Sequence, residues 1–154
     1  QIQRLAEAVA ASTSPGERVS ILGLSYKAQP SVIEESQAIT LALLLSKSGY
    51  PVTVYDPCAN AASSAVLGNT VTVAGSAAEA VDEASAVVIM APWPQFAEVS
   101  WNCGVNDPEQ RTVIDPWGIV TSVPGIRLVR PGTGDWRRSL APADSSAPLR
   151  FGSR

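Results

Sequence analysis

The chain contains no histidine, which removes the side chain used most often as a general base near neutral pH and as a zinc ligand. Its two cysteines, Cys58 and Cys103, lie far apart and lack the Cys-x-x-Cys spacing of zinc and redox sites. We therefore expect two ordinary thiols and no metal site. Any chemistry in this chain has to use Lys, Asp, Glu, Tyr, Ser or Cys.

Charged residues and long apolar runs are also scarce. Charged residues make up 16% of the 154 residues, and the formal net charge is -3. Without a broad basic field to collect phosphates, we expect no nucleic-acid partner. No apolar run reaches the roughly 20 residues of a membrane-spanning helix, and the first residues lack the plan of a signal peptide. We therefore expect a cytoplasmic protein that does not enter a membrane.

The apolar residues, 45% of the chain, follow a pattern of short strands that alternate with amphipathic helices. The predicted strands are 18–24, 52–55, 70–73, 86–91, 112–115 and 126–129, and the predicted helical segments are 34–47, 77–84 and one or two turns at 94–99. Alternation of this kind implies a mostly parallel sheet covered on both faces. The predicted fold is α/β, a Rossmann-like three-layer sandwich with a mostly parallel sheet of five or six strands.

The two ends of the chain differ from its body. Residues 1–14 carry apolar side chains at helical spacing, and the chain begins with Gln1, so we expect the end of a helix and a piece of a longer protein. Residues 15–131 form the predicted Rossmann-like domain. Residues 132–154 are rich in Pro, Gly, Ser and Arg, which is typical of a flexible tail.

The residues that follow each strand are the candidates for ligand contact, because ligands gather at the carboxyl ends of parallel strands. After the first strand come Ser25, Tyr26 and Lys27, and Gly23 is the only glycine there, so the full dinucleotide fingerprint is absent. Lys27 fits a phosphate contact as a mobile point charge, or a solvated loop position. Tyr26 offers a ring for packing or stacking.

Other candidates have structural alternatives. Asp56 stands where a dinucleotide-binding protein places its ribose acceptor, but an Asp before Pro more often forms a turn. Trp93, Phe96 and Trp101 fit an aromatic wall beside the cleft, the cover of the core or an interface with a neighbouring domain, and we favour the interface. The adjacent Glu34 and Glu35 point about 100° apart on a helix, so helix capping explains them better than a catalytic pair.

Three segments together resemble the C-terminal, UDP-binding domain of the UDP-glucose/GDP-mannose dehydrogenase family. They are Ile21-Leu22-Gly23-Leu24-Ser25-Tyr26-Lys27, then Glu35-Ser36 at a helix start, and Gly49-Tyr50-Pro51-Val52-Thr53-Val54-Tyr55-Asp56-Pro57. Ala91-Pro92-Trp93-Pro94-Gln95-Phe96 and Val113-Ile114-Asp115 match later segments in the same order. The resemblance covers roughly residues 1–129, and the combination of segments is more specific than any one of them.

The resemblance implies a role within a larger protein. In this family an N-terminal Rossmann domain holds NAD and the catalytic cysteine, a long helix mediates homodimerisation, and the C-terminal domain grips the nucleotide sugar. The family oxidises a sugar C6 hydroxyl to a carboxylate in two NAD-dependent steps. Residues 1–14 would then be the end of the long inter-domain helix. Neither Cys58 nor Cys103 matches the nucleophile motif, so this chain alone is expected not to turn over substrate.

The resemblance also assigns residues. Tyr26 and Lys27 match the aromatic-lysine pair that lies against the nucleotide sugar, with a UDP-sugar as the expected ligand. Glu34 stands where the family carries an NAD-contacting arginine, which would turn an attraction for phosphate into a repulsion. The family also tends to carry an arginine shortly after the Asp that corresponds to Asp115. Here Asp115 is followed by Pro-Trp-Gly, so Arg111 or Arg130 would have to compensate for the missing arginine.

Three functions follow from these observations. The first is the nucleotide-sugar-binding domain of a working dehydrogenase whose contacts have drifted. The second is a non-catalytic assembly or regulatory module that retains the fold. The third is a generic Rossmann-like domain for another ligand. The sequence upstream of Gln1 discriminates between the first two.

Overall fold

The fold was analysed in a computed structural model, which describes residues 2–24, 37–57, 70–99, 101, 111–121 and 126–130. The helices are α1 (Ile2–Ser12), α2 (Gln37–Lys47) and α3 (Ala77–Val81), with a 3₁₀ helix at Pro94–Glu98. The strands are β1 (Val19–Leu22), β2 (Val52–Tyr55), β3 (Thr72–Val73), β4 (Ala86–Ile89), β5 (Arg111–Ile114) and β6 (Ile126–Val129).

The six strands form one sheet in the order β3-β2-β1-β4-β5-β6, and every neighbouring pair is parallel. The predicted parallel α/β sheet of five or six strands is thereby confirmed, with six. This order is that of the Rossmann fold, in which the chain runs outward from the central strand in one direction and then in the other. The point of reversal lies between β1 and β4.

Side chains of the central strands alternate between two cores, one on each face of the sheet. Ile21 of β1 and Val88 of β4 belong to the core that α1 and α2 cover. Leu22 and Ile89, the next residues along, belong to the core that contains α3 and the 3₁₀ helix. All residues of β1 and β4 are buried, which explains their nearly continuous apolar runs. The arrangement is the predicted three-layer sandwich.

The ends of α2 and α3 have identifiable causes. After α2, the Gly49 N–H donates to the Ser46 carbonyl and the Tyr50 N–H to the Leu45 carbonyl, both at 3.2 Å. Gly49 has φ +102°, and this pattern is a Schellman motif, so the predicted stop at this glycine is confirmed. Helix α3 is shorter than predicted because Glu83 takes the left-handed conformation, with φ +62°.

Helix α1 is part of the body of the domain. Its residues Leu5, Ala6, Ala8 and Val9 are buried in the same core as α2 and the central strands. Near its end the Thr13 hydroxyl lies 3.2 Å from the Tyr50 hydroxyl and donates to the Val9 carbonyl at 2.7 Å. Within the described ranges, no helix combines the length and apolar character needed to cross a membrane.

Candidate functional site

The carboxyl edge of the sheet is the candidate site, because sheets with this strand order bind ligands at that edge, near the point of chain reversal between β1 and β4. The described segments at this edge include 23–24 after β1, 56–57 after β2, 90–93 after β4 and 115–117 after β5. The predicted contact residues Tyr26 and Lys27, and the predicted departure at Glu34, lie outside the described residues. The structure fixes the chain up to Leu24, two residues before Tyr26.

Gly23 brings the loop after β1 into contact with the loop after β4. Its φ is +96°, a conformation that L side chains rarely adopt. A Cβ at this position would lie 2.6 Å from the backbone nitrogen and from the Cβ of Ala91. On its other side the Gly23 N–H donates to the Tyr55 carbonyl at 2.7 Å. Gly23 therefore serves a close approach of two backbones, in the loop where a dinucleotide-binding domain carries further glycines.

Asp56 is a structural residue rather than a ribose acceptor. Its side chain is 1% exposed, and Oδ2 accepts hydrogen bonds from the Leu24 backbone N–H at 2.7 Å and from the Trp93 indole N–H at 3.1 Å. The carboxylate thus connects the loops after β1, β2 and β4. Both of these hydrogen bonds are with residues distant in the sequence, and neither the turn interpretation nor the ribose interpretation included them.

Two of the three aromatic candidates belong to the core. Phe96 is fully buried and Trp101 is 4% exposed, both in the cluster beneath the 3₁₀ helix, so the aromatic-wall prediction is wrong for this pair. We favoured the interface with a neighbouring domain, but both residues are buried within this domain itself, which agrees with the alternative that they cover the core. Trp93 is half-buried and packs against the same cluster while its indole reaches Asp56.

Asp115 organises the loop after β5 in a way that the sequence did not predict. Its buried carboxylate accepts backbone N–H groups from Trp117 at 3.1 Å, Gly118 at 2.9 Å and Val120 at 2.8 Å. Arg130 lies beside it, with Nε 3.9 Å from Oδ2 and a side chain that is 42% exposed. The available signal was an Asp placed directly after a buried strand and before Pro, the same signal as at Asp56.

Arg111 lies at the amino end of β5, on the edge of the sheet opposite to the candidate site. It is fully buried, and its guanidinium donates to the carbonyls of Ala84 at 3.0 Å, Val81 at 2.7 Å and Trp101. It does not replace a missing anion contact, so that suggestion is wrong for Arg111. Arg130 follows β6 at the carboxyl edge, and its role there stays a prediction.

A dinucleotide held in the usual Rossmann manner does not fit these residues. Such a ligand needs close backbone approach at a glycine-rich loop and a carboxylate turned toward the ribose. Here Gly23 abuts Ala91, and the Asp56 carboxylate is turned inward to Leu24 and Trp93. Among its described residues, the domain therefore has the Rossmann fold without these two dinucleotide contacts, which leaves its binding class to be identified.

Comparison with known proteins identifies that class. Residues 20–122 match the UDP-glucose/GDP-mannose dehydrogenase family, UDP binding domain. This chain belongs to that family, and the matched part is its UDP-binding domain. The match spans β1 to β5 and includes the segment that carries Tyr26 and Lys27.

Individual relatives agree with the family. The UDP-glucose 6-dehydrogenase AglM of Haloferax volcanii is 33% identical over 111 residues, which are 72% of this chain and 25% of that protein. TuaD of Bacillus subtilis, also a UDP-glucose 6-dehydrogenase, is 30% identical over 84 residues, 54% of this chain and 18% of that protein. This chain thus spans a quarter or less of the length of these curated relatives.

A solved structure supports the same relationship. The UDP-glucose dehydrogenase of the hyperthermophilic archaeon Pyrobaculum islandicum superimposes with a TM-score of 0.60 at 28% identity. The aligned part covers 74% of this chain and 26% of that chain. The similarity in sequence and in fold therefore concerns one region of a much longer protein.

Proposed function

We propose that this chain is the nucleotide-sugar-binding domain of a cytoplasmic, NAD-dependent nucleotide-sugar 6-dehydrogenase, and that its ligand is a UDP-sugar. The observation that carries the proposal is the match of residues 20–122 to the UDP-binding domain of the dehydrogenase family. The Rossmann strand order supports it, because sheets of this order bind ligands at the carboxyl edge, where the segment after β1 begins.

Tyr26 and Lys27 are the proposed contact residues. They follow Leu24, whose backbone N–H is held at the carboxyl edge by Asp56. The Lys27 ammonium would neutralise charge on the diphosphate or donate to a sugar oxygen, and the Tyr26 ring would lie against the nucleotide sugar. Both roles come from the family resemblance and agree with the chemistry of the side chains.

The rest of the enzyme is proposed to lie outside this chain. NAD would be bound mainly by an N-terminal dehydrogenase domain that also supplies the catalytic cysteine, and the full-length protein would be a homodimer. The short coverage of the relatives, 25% of AglM and 18% of TuaD, supports this division. The gene sequence upstream of Gln1 tests it. A glycine-rich NAD loop and a cysteine motif are expected there, and an unrelated upstream region would favour the assembly-module alternative.

Ligand binding is tested by calorimetric titration of the 154-residue chain with UDP, UDP-glucose and GDP-mannose. The chain has two lysines, so Lys47→Met is the matched control for Lys27→Met. Lys47 is exposed in the last turn of α2. Loss of one charged contact weakens binding by about 1.5 to 3 kcal/mol, roughly ten- to a hundredfold, and we expect this for Lys27→Met only. Equal ligand affinities of Lys27→Met and Lys47→Met would show that Lys27 does not contact the ligand.

A further inference from the structure

One carboxylate oxygen joins three loops at the carboxyl edge of the sheet. Asp56 Oδ2 accepts the backbone N–H of Leu24 at 2.7 Å and the indole N–H of Trp93 at 3.1 Å. We call this pair of hydrogen bonds the Asp56 bridge. Asp56 is 1% exposed and Leu24 is 2% exposed, so the bridge lies beneath the surface of the candidate site. Buried hydrogen bonds to a carboxylate are stronger than those between neutral groups.

The bridge acts on a piece of backbone that is also fixed by its neighbours. Gly23 donates its N–H to the Tyr55 carbonyl at 2.7 Å, and its Cα faces Ala91 without room for a Cβ. The Met90 N–H donates to the Leu22 carbonyl at 2.8 Å, which continues the pairing of β1 with β4. Leu24 is the last of these fixed residues and carries the bridge. The described backbone after β1 is therefore fixed as far as Leu24, which stands two residues before Tyr26 in the sequence.

We propose that Asp56 is a positioning residue for nucleotide-sugar binding, and that Trp93 holds its carboxylate in place. The inference rests on the proposed function, because it concerns the loop that carries Tyr26 and Lys27. A loop that is held in its binding conformation before the ligand arrives loses less conformational freedom on binding. Asp56 would contribute to this order through the Leu24 backbone N–H, two residues before Tyr26 in the sequence, and Trp93 would contribute through Asp56, without contact between either side chain and the ligand.

The position of Trp93 explains why a tryptophan serves here. Its ring packs against the core cluster that contains Phe96 and Trp101, while its N–H points to Asp56. Indole combines a large apolar surface with a single donor, so packing fixes the direction of the hydrogen bond. Phenylalanine at this position would retain the packing and remove the donor. Trp93→Phe is therefore the variant that tests the bridge with the least damage to the core.

The experiment combines two measurements on the 154-residue chain. The first is hydrogen exchange of the Leu24 amide by NMR, which needs no ligand, and the second is the dissociation constant for UDP by calorimetry. The variants are Trp93→Phe, Asp56→Ala and the conservative Asp56→Asn, which retains an acceptor oxygen. Asp115→Asn is the matched control, because Asp115 is also a buried carboxylate that accepts backbone N–H groups at the same edge of the sheet.

We expect Trp93→Phe to accelerate exchange at Leu24 and to weaken UDP binding, each by about three- to tenfold, the effect of one hydrogen bond. Asp56→Ala should have larger effects on both quantities, and Asp56→Asn should restore part of each. Asp115→Asn should lower the melting temperature while it leaves Leu24 exchange and UDP affinity within about twofold of wild type, because it acts two strands away from β1.

The outcomes separate this inference from the proposed function. Unchanged exchange at Leu24 in Trp93→Phe and Asp56→Ala would overturn the bridge as a positioning device, whether or not UDP binds. Faster exchange with unchanged UDP affinity would show that the bridge orders Leu24 without serving the ligand, and would also overturn the inference. A wild-type chain that binds none of UDP, UDP-glucose and GDP-mannose would overturn the proposed function, and with it the role of the bridge in binding.

Discussion

The backbone of Gly23 lies against Ala91 so closely that a Cβ on residue 23 would be 2.6 Å from the Ala91 nitrogen. The contact joins the loops after β1 and β4 at the point where the chain reverses direction across the sheet. In a dinucleotide-binding domain this point opens as the ligand crevice. Here the Gly23 and Ala91 backbones lie in close contact, so no room for a ligand is left between these two residues.

Gly23→Ala tests whether the close approach to Ala91 lowers the stability of the variant by more than the positive φ alone would. The substitution combines a positive φ of +96° with the clash against Ala91, and we expect a loss of about 3 to 5 kcal/mol in the free energy of unfolding. Gly49→Ala is the matched control, since Gly49 has φ +102° with nothing within 4 Å of the added Cβ. Its loss should be about 1 to 2 kcal/mol. Equal losses in urea unfolding would mean that the approach to Ala91 relaxes.

Replacement of Arg111 tests whether the buried guanidinium is structural. Arg111→Met removes the donors that reach the carbonyls of Val81, Ala84 and Trp101, and buried carbonyls left without these partners are unfavourable. We expect a loss of roughly 3 to 5 kcal/mol in urea unfolding, with UDP affinity unchanged in the fraction that stays folded.

Arg127→Met is the control for Arg111→Met. Arg127 is exposed in the middle of β6, so this variant should stay within about 0.5 kcal/mol of wild type. A tenfold loss of UDP affinity in Arg111→Met, measured well below its unfolding midpoint, would contradict the assignment of Arg111 to the opposite edge of the sheet.

Asp115 should contribute more than Arg130 to the free energy of unfolding. Asp115→Ala removes the acceptor of three backbone N–H groups inside the domain, and we expect a loss of about 3 kcal/mol. Arg130→Gln should lose about 0.2 to 1 kcal/mol, because its pairing with Asp115 is 3.9 Å long and its side chain is 42% exposed. A double-mutant cycle by thermal unfolding measures the coupling, and a value above about 2 kcal/mol would contradict this account.

The sequence was sufficient for the architecture because the apolar pattern and the fold have the same cause. Strands β1 and β4 are buried on both faces, so their residues are apolar almost without interruption. Gly49 predicted the end of α2 because its positive φ is a local requirement. Strand bounds were predicted less well, since β3 begins at Thr72 rather than at residue 70 and β4 ends at Ile89 rather than at residue 91, and local composition does not encode these limits.

The details of the site depended on contacts between residues distant in sequence. Asp56 and Trp93 are 37 positions apart, and nothing in either segment alone predicts that one binds the other. Arg111 lies just before the predicted strand 112–115, and its acceptors are carbonyls that only the packed structure brings together. The burial of Phe96 and Trp101 likewise depends on residues distant in the sequence, because several segments together form the core that surrounds them.

Helix α1 is predicted to be an integral part of this domain, although the family resemblance assigns it to a longer inter-domain helix. Leu5 is 4% exposed within the main core, so Leu5→Ala should lose about 2 to 4 kcal/mol in urea unfolding. Arg4→Ala, on the exposed face of the same helix, controls for changes in helix propensity and should stay within about 0.5 kcal/mol of wild type. A Leu5→Ala chain as stable as the Arg4→Ala chain would show that α1 does not hold the domain together.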